Sequence, residues 1–188
     1  MPLPIFAGAA ASLLAVWAGY SYNYLIHART KVREGMSGVD VQLKLRHDLV
    51  PNLNEAVRAY AEHEQEALRA AAAHRCRAIA AQSPTDIEVA ENALAAEVSR
   101  LLAVAEQNPH LKAADRFIAL SAELRAIEDE IQAARTLYNA NVEFYNSRAQ
   151  RIPLSLVAMW MTPKSFQYLR LDPIDFDLGR SRVGEFAA

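Results

Sequence analysis

The chain has 188 residues with 20 basic and 22 acidic side chains, and its net charge of −2 excludes a strongly basic nucleic-acid-binding surface and a long acidic tail. The single cysteine, Cys76, excludes an intramolecular disulfide framework. The scarcity of glycine and the abundance of alanine favour helix. Composition therefore predicts an all-α protein with no nucleic-acid partner.

The N-terminal 28 residues contain no Asp, Glu, Lys or Arg, and Arg29, Lys31 and Arg33 follow within five positions. The apolar part is about 22 residues long, which is enough for a helix to cross a bilayer. We therefore predict a transmembrane anchor over residues 1–24 of a single-pass protein in the inner membrane. Basic residues stay on the cytoplasmic side, so the short N-terminus is expected outside and the rest of the chain in the cytoplasm. The three basic residues are also expected to contact anionic lipid.

The same helical pattern continues past the anchor, with apolar residues at alternating three- and four-residue steps that Arg46 interrupts. Pro51 has no N–H to donate to the carbonyl four residues earlier, so a kink or a break is expected there. Ser83-Pro84 and Asn108-Pro109 indicate turns. Further helices are therefore predicted over residues 52–81, 86–107 and 111–150.

The helix over residues 111–150 has the clearest pattern, and its opposite face is charged. Long helices with short connections pack as antiparallel neighbours. Residues 25–152 are therefore predicted to form a cytoplasmic, antiparallel four-helix up-and-down bundle with long coiled-coil-like helices. We expect the charged face to be solvent-exposed. It comprises Glu123, Arg125, Glu128, Asp129, Glu130 and Arg135.

The pattern changes after Pro153, where a compact apolar segment includes Trp160. Residues 153–171 are predicted either to cap the end of the bundle or to expose a patch that binds a partner or the membrane, with Trp160 as the candidate contact. Residues 172–188 are expected to be a loosely ordered tail.

Two groups of polar residues lie within the helical pattern. Arg46, His47 and Asp48 come just before Pro51, and Arg135 lies one turn before Tyr138. Each group is explained either by hydrogen bonds that satisfy buried backbone and polar groups or by a surface that binds a partner. All five residues are kept as candidate interaction residues.

The sequence offers no recognisable catalytic motif. None of the five histidines has a Glu three residues before it, as a di-iron bundle requires, and His63-Glu64 lacks the second histidine of a zinc-protease helix. A glycine-rich phosphate loop and a nucleophile elbow are also absent from the sequence. We therefore expect no catalytic, cofactor-binding or metal-binding residue, no cofactor and no enzymatic activity.

Several blocks of the sequence resemble the LemA family closely. The resemblance covers about residues 21–168, although Gly35-Met36 replaces the usual Ala-Trp of the family and Asn54 replaces a β-branched residue. It implies one N-terminal anchor and a cytoplasmic helical bundle, with no established catalytic residues. The matching blocks are Tyr22-Asn23, residues 39–44 and 46–53, Tyr60, His63-Glu64, residues 109–113, Phe117, Glu128, Ala134-Arg135, Tyr138-Asn139 and Tyr145-Asn146.

These observations favour a membrane-anchored scaffold or adaptor on the cytoplasmic face. Its expected partners are the lipid bilayer and an unidentified membrane-associated protein, and homo-oligomerisation is left open. A self-assembling protein that shapes membranes or builds an organelle is the alternative, since one branch of the family has links to magnetosome formation. A metal-binding or catalytic bundle is the least favoured class.

Overall fold

The computed structural model describes residues 3–59, 64–159, 161 and 165–176, with side chains from residue 8 onward. These residues form six helices and no strand, so the prediction of an all-α fold is confirmed. Residues 165–176 follow the last helix without regular secondary structure. The helices are α1 Leu3–Arg58, α2 Gln65–Ala80, α3 Pro84–Gln107, α4 Pro109–Lys112, α5 Asp115–Gln150 and α6 Leu154–Ala158.

The chain divides into two compact units. Unit 1 consists of residues 1–37 and 136–168, and unit 2 consists of residues 38–135 and 169–188. The long helices α1 and α5 each contribute one segment to each unit.

A kink or a break was predicted at Pro51, but helix α1 continues through it to Arg58, so a break does not occur and the predicted helix over residues 52–81 is wrong. Pro51 cannot donate to the carbonyl of His47, which would leave that oxygen without its helical partner. Arg75 of α2 replaces the missing donor, because its Nε donates to the His47 oxygen at 2.6 Å. A side chain from a neighbouring helix therefore compensates for the proline.

The hydrophobic core of unit 2 confirms the apolar pattern of the sequence in part, since Val41, Leu45 and Ile79 belong to that pattern but are exposed. It combines residues of α1, α2, α3 and α5 with Leu111 of α4 and Ile174 of the C-terminal segment. Asn54 is also buried, and its Nδ2 donates to the backbone oxygen of Leu68 at 3.2 Å. This contact between α1 and α2 explains why a polar residue is tolerated at position 54.

Two proline-containing turns begin helices, as predicted. The Ser83 hydroxyl accepts from the Asp86 N–H at 3.1 Å and starts α3, with Pro84 in the first helical turn. The Asn108 side chain accepts from the N–H groups of His110 and Leu111 and starts α4. The predicted helix over residues 111–150 is thus one short helix, α4, followed by α5.

Unit 1 is built around a close approach of α1 and α5. A Cβ atom added to Gly35 would lie 3.1 Å from the Cα of Tyr138 and 3.2 Å from Asn141 Nδ2. Asn141 also donates to the Lys31 backbone oxygen at 3.0 Å. Glycine at position 35 is therefore matched to this tight packing.

The anchor predicted over residues 1–24 is not confirmed. In the part of the chain that the structure describes, no helix is both long enough and apolar enough to cross a membrane. Residues 1–7 of the predicted anchor lie outside the residues whose side chains are described.

Candidate functional site

Four ionisable side chains from three helices meet in the interior of unit 2. Arg46 of α1 pairs with Glu91 of α3 and, at 3.2 Å, with Glu128 of α5. His47 Nε2 donates to the second oxygen of Glu91 at 2.6 Å, and Gln132 donates to the second oxygen of Glu128 at 2.9 Å. Each of the four carboxylate oxygens therefore has a hydrogen-bond partner. We call Arg46, His47, Glu91 and Glu128 the buried ion cluster.

The cluster is almost fully enclosed, with Arg46 and Glu91 only 1% exposed. Burial raises the pKa of Glu91, but the hydrogen bond from His47 and the charge of Arg46 outweigh that effect, so the pKa is lowered overall. Arg46 of α1 therefore lies between a carboxylate of α3 and a carboxylate of α5. This arrangement fixes how α1, α3 and α5 meet, because a lone buried charge is strongly destabilising.

The position of Glu128 corrects one prediction. The sequence pattern placed Glu128 on a solvent-exposed face of its helix, but only 4% of the residue is exposed. The prediction was wrong because Arg46, which interrupts the apolar stripe of α1, lies inward and requires a carboxylate partner. Arg46 and Glu128, the two charged residues that lie inward on their helices, therefore pair with each other.

A surface cleft of about 400 Å³ reaches the edge of the cluster at His47 and Glu91. Its walls also carry Asp40, Lys44 and the exposed Asp48. Partial burial raises the pKa of Asp40, although its side chain remains exposed. Of the predicted group Arg46, His47 and Asp48, only Asp48 is freely accessible, while the other two belong to the buried ion cluster.

The second feature of unit 2 is segment 169–176, which has no regular secondary structure and which we call the strap. Arg135, a predicted interaction residue, donates to the Leu171 backbone oxygen at 2.8 Å. Asn92 of α3 donates to the Arg170 oxygen at 3.1 Å and accepts from the Asp172 N–H at 2.9 Å. Helix side chains therefore bind the backbone of the strap.

Two further residues of α3 extend this row of contacts. Glu88 accepts from the Arg170 N–H at 3.0 Å, and Ser99 accepts from the Asp175 N–H at 2.8 Å. The strap also buries apolar side chains, and Arg125 lies over the ring of Phe176 at 4.2 Å from its centroid. We call the receiving surface, formed by Glu88, Asn92, Ser99 and Arg135, the α3–α5 track.

In unit 1, Tyr138 and Asn146 bind a neighbouring stretch of backbone. Tyr138 is buried, and its hydroxyl donates to the Gln167 oxygen at 2.9 Å. Burial raises the pKa of Tyr138, which keeps the donated proton in place. Asn146 makes a two-way contact with Phe166, donating to its oxygen at 2.8 Å and accepting from its N–H at 2.9 Å. Tyr138 therefore holds the chain after α6 in place.

The remaining predicted residues differ in their surroundings. Lys31 is exposed and pairs with Glu34 at 2.9 Å, and Arg33 is exposed. Arg29 is half-buried and close enough to Tyr145 to lower its pKa, although burial raises that pKa overall. Trp160 lies outside the described residues.

The apolar surface is unevenly divided between the two units. Of the sixteen large apolar side chains that are exposed in the described part of the chain, eleven belong to unit 1. By sequence, unit 1 carries six basic and two acidic residues, and unit 2 carries fourteen basic and twenty acidic ones. The exposed residues of unit 1 are Leu13, Leu14, Val16, Tyr20, Tyr22, Leu137, Phe144, Ile152, Leu156, Met159 and Tyr168.

No group of three or more His, Cys, Asp or Glu residues is arranged to hold a metal ion within the described ranges. The side chains of the buried ion cluster are bonded to one another, so a ligand cannot contact them without displacing a partner.

Comparison with known proteins identifies the family. The family model of LemA matches residues 35–175, well over half of the chain. The chain belongs to the LemA family. No curated protein matches the chain at a significant level.

The matched range contains the buried ion cluster, the α3–α5 track and all of the strap except Phe176, and several of these residues carry no local signal in the sequence. Glu91, Asn92 and Ser99 lie on one helix at positions that look solvent-facing by type, and Arg75 lies among alanines. Arg46 gave the only signal, because a buried arginine on an apolar stripe requires carboxylate partners. Such partners come from distant helices, and the spacing of one helix does not reveal them.

Proposed function

We propose that this LemA-family protein is a non-catalytic scaffold or adaptor, attached by unit 1 to the cytoplasmic face of the inner membrane. Its unit 2 binds a membrane-associated protein. The observation that carries the proposal is the concentration of exposed apolar side chains and net positive charge in unit 1. Unit 2 has the opposite character, with a net negative charge and few exposed apolar residues.

The N-terminal part of α1 is the main contact with lipid in this proposal. Leu13 and Val16 are 72% exposed and Leu14 is 65% exposed, in a stretch without any charged residue. Exposed apolar area costs roughly 25 cal/mol per Å² in water, and a bilayer removes that cost. The basic Arg29, Lys31 and Arg33 follow directly, where each gains about 1 kcal/mol from anionic lipid. A single-pass anchor over residues 1–24 agrees with this distribution.

The scaffold role is supported by the contacts that the polar residues of unit 2 make. Its buried carboxylates and arginine are paired with one another, and the asparagine, serine and arginine of the α3–α5 track bind backbone. Such groups hold helices and segments together rather than acting on a substrate. We further propose that the helical segments of unit 2 form the antiparallel up-and-down bundle expected for the family.

Attachment is tested by extracting membranes that contain the full-length protein with alkaline carbonate. We expect wild-type protein to stay in the pellet and the variant Leu13→Glu with Val16→Glu to be released, because two carboxylates in the hydrocarbon layer are costly. The matched control is Val41→Glu with Leu45→Glu, which alters exposed apolar residues of the same helix in unit 2. Release of the wild type, or equal release of the control, contradicts the proposal.

The scaffold role is tested by crosslinking in intact membranes, followed by mass spectrometry. A photoreactive residue at exposed positions of unit 2, such as Val89 or Ile79, is expected to capture one defined protein. The same capture from the released Leu13→Glu, Val16→Glu variant should be lost, because the adaptor would no longer be beside its membrane partner. Equal capture by the released variant, or no reproducible product at either position, contradicts an adaptor role.

A further inference from the structure

The α3–α5 track binds the strap in a way that is largely independent of the side chains of the strap. Glu88, Asn92 and Ser99 accept backbone N–H groups, and Asn92 and Arg135 donate to backbone oxygens. The two-way contact of Asn92 with the residues on either side of Leu171 resembles the pairing that an adjacent strand would provide. The track therefore provides the hydrogen bonds that an extended peptide requires.

Selectivity comes from the apolar side chains of the strap. Leu169, Leu171 and Ile174 are at most 4% exposed, and Phe176 packs against the core of unit 2. Their spacing defines a pattern in which the first, third and sixth residues of an extended segment are apolar. When the backbone supplies the hydrogen bonds, the sites that receive individual side chains are the usual basis for peptide selectivity.

We propose that the α3–α5 track is a peptide-binding site whose second occupant is the strap of another copy of this protein. An identical strap makes identical hydrogen bonds and buries identical side chains, so the exchange sacrifices no contact. The strap begins where the chain passes from unit 1 into unit 2, between Tyr168 and Leu169. Exchange at that point links unit 1 of one copy to unit 2 of another.

The strap of the same chain has the advantage of a high effective concentration, in the millimolar range for short connections. Exchange between copies is therefore expected only where copies are crowded. The inference goes beyond the scaffold proposal and does not depend on membrane attachment. It is accordingly tested with full-length protein in detergent, so its failure and the failure of membrane attachment are separate results.

The test mixes two variants with complementary defects. The strap donor carries Asn92→Ala and Arg135→Ala, which disable its track but leave its strap intact. The strap acceptor carries Leu171→Asp and Ile174→Asp, which disable its strap but leave its track free. Each is labelled on the single exposed thiol of Cys76 with one dye of an energy-transfer pair. We expect energy transfer and a heterodimer by sedimentation when the two are mixed, and monomers when each is alone.

The matched control carries all four substitutions in one chain, so that it can neither donate nor accept. It should not associate with either variant, and a synthetic peptide of residues 165–176 should compete with heterodimer formation. Absence of a heterodimer between variants that are folded by circular dichroism overturns the proposal. Association of the control to the same extent also overturns it.

A second measurement covers the case in which the acceptor fails to fold. A fluorescent peptide of residues 165–176 is titrated into wild-type protein, and the same peptide with Leu171→Asp is the comparison. Because the strap of the same chain competes for the track, we expect the native peptide to bind only in the millimolar range and the Leu171→Asp peptide to bind at least tenfold more weakly. No saturable binding, or equal binding of both peptides, overturns the proposal.

Discussion

Unit 1 and unit 2 share the two longest helices of the chain, yet they treat charged and apolar residues in opposite ways. Unit 1 exposes most of the large apolar side chains and carries net positive charge. Unit 2 carries net negative charge and encloses Arg46 with Glu91 and Glu128 in its interior. Periodicity along a helix therefore does not determine its surroundings. The partner at each position decides whether a residue is a core, a surface or a contact residue.

Removing one member of the buried ion cluster should give the largest effect on unit 2. Glu91→Ala leaves Arg46 with one carboxylate and His47 without its acceptor. Breaking a buried pair in this way costs about 3–5 kcal/mol of unfolding free energy. The free energy of unfolding is measured by urea titration of the full chain in detergent, with circular dichroism as the signal.

An exposed ion pair and the pH provide two controls for Glu91. Glu55→Ala removes the exposed pair with Arg116 and should cost less than about 1 kcal/mol.

Because the pKa of Glu91 is lowered in the fold, its stabilising contribution is present above pH 4.5 and is lost as the pH falls below that value. The difference between wild type and Glu91→Ala should therefore narrow in acid. A difference that stays constant or grows in acid contradicts this assignment.

The next largest effect concerns the helix that passes through both units. Arg75→Met removes the donor that serves the His47 oxygen and should cost about 2 kcal/mol, as expected for a charge-assisted hydrogen bond to a buried carbonyl. In a Pro51→Ala background the new N–H at position 51 can serve the same oxygen, so the cost should fall below about 1 kcal/mol. A double-mutant cycle measures this coupling. An equal cost in both backgrounds would mean that Arg75 does not compensate for the proline.

The smallest effects are expected for substitutions of two glycines of α1, Gly35 at the end of unit 1 and Gly38 at the start of unit 2. Gly35→Ala forces a Cβ to within 3.1 Å of the Tyr138 backbone, so we expect a loss of about 1 kcal/mol despite the better helix propensity of alanine. Gly38 has nothing within 4 Å of the same added atom. Gly38→Ala should therefore stabilise the protein by about 0.5–1 kcal/mol. Thermal unfolding of both variants measures the two changes in stability. Stabilisation by both substitutions would contradict the close approach at Gly35.

The parts of the fold that depend on local signals could be predicted from the sequence. The inward stripe of α5, including Phe117, Leu124 and Ile131, is buried as its spacing indicates. Ser83 and Asn108 begin helices where their side chains suggested turns. Period and capping are properties of a few neighbouring residues, so one sequence is enough to read them.

The parts that depend on distant partners could not be predicted. A kink or a break is expected at Pro51, because nothing near it in sequence supplies the missing donor; Arg75 lies more than twenty residues further on. The burial of Glu91 has no local signal in the sequence, since a glutamate on a helix is ordinarily solvent-exposed. Arg135 and Tyr138 remain candidate interaction residues, and their observed contacts are with backbone of the same chain.

The dependence of α1 on Arg75 also bears on the order of events during synthesis. When residues 3–58 leave the ribosome, Arg75 is still inside the exit tunnel and cannot yet donate to the His47 oxygen. The turn before Pro51 acquires its full set of hydrogen bonds only after α2 has docked. Amide hydrogens on either side of Pro51 should consequently become protected from exchange together with those of α2, and later than those of the preceding turns of α1.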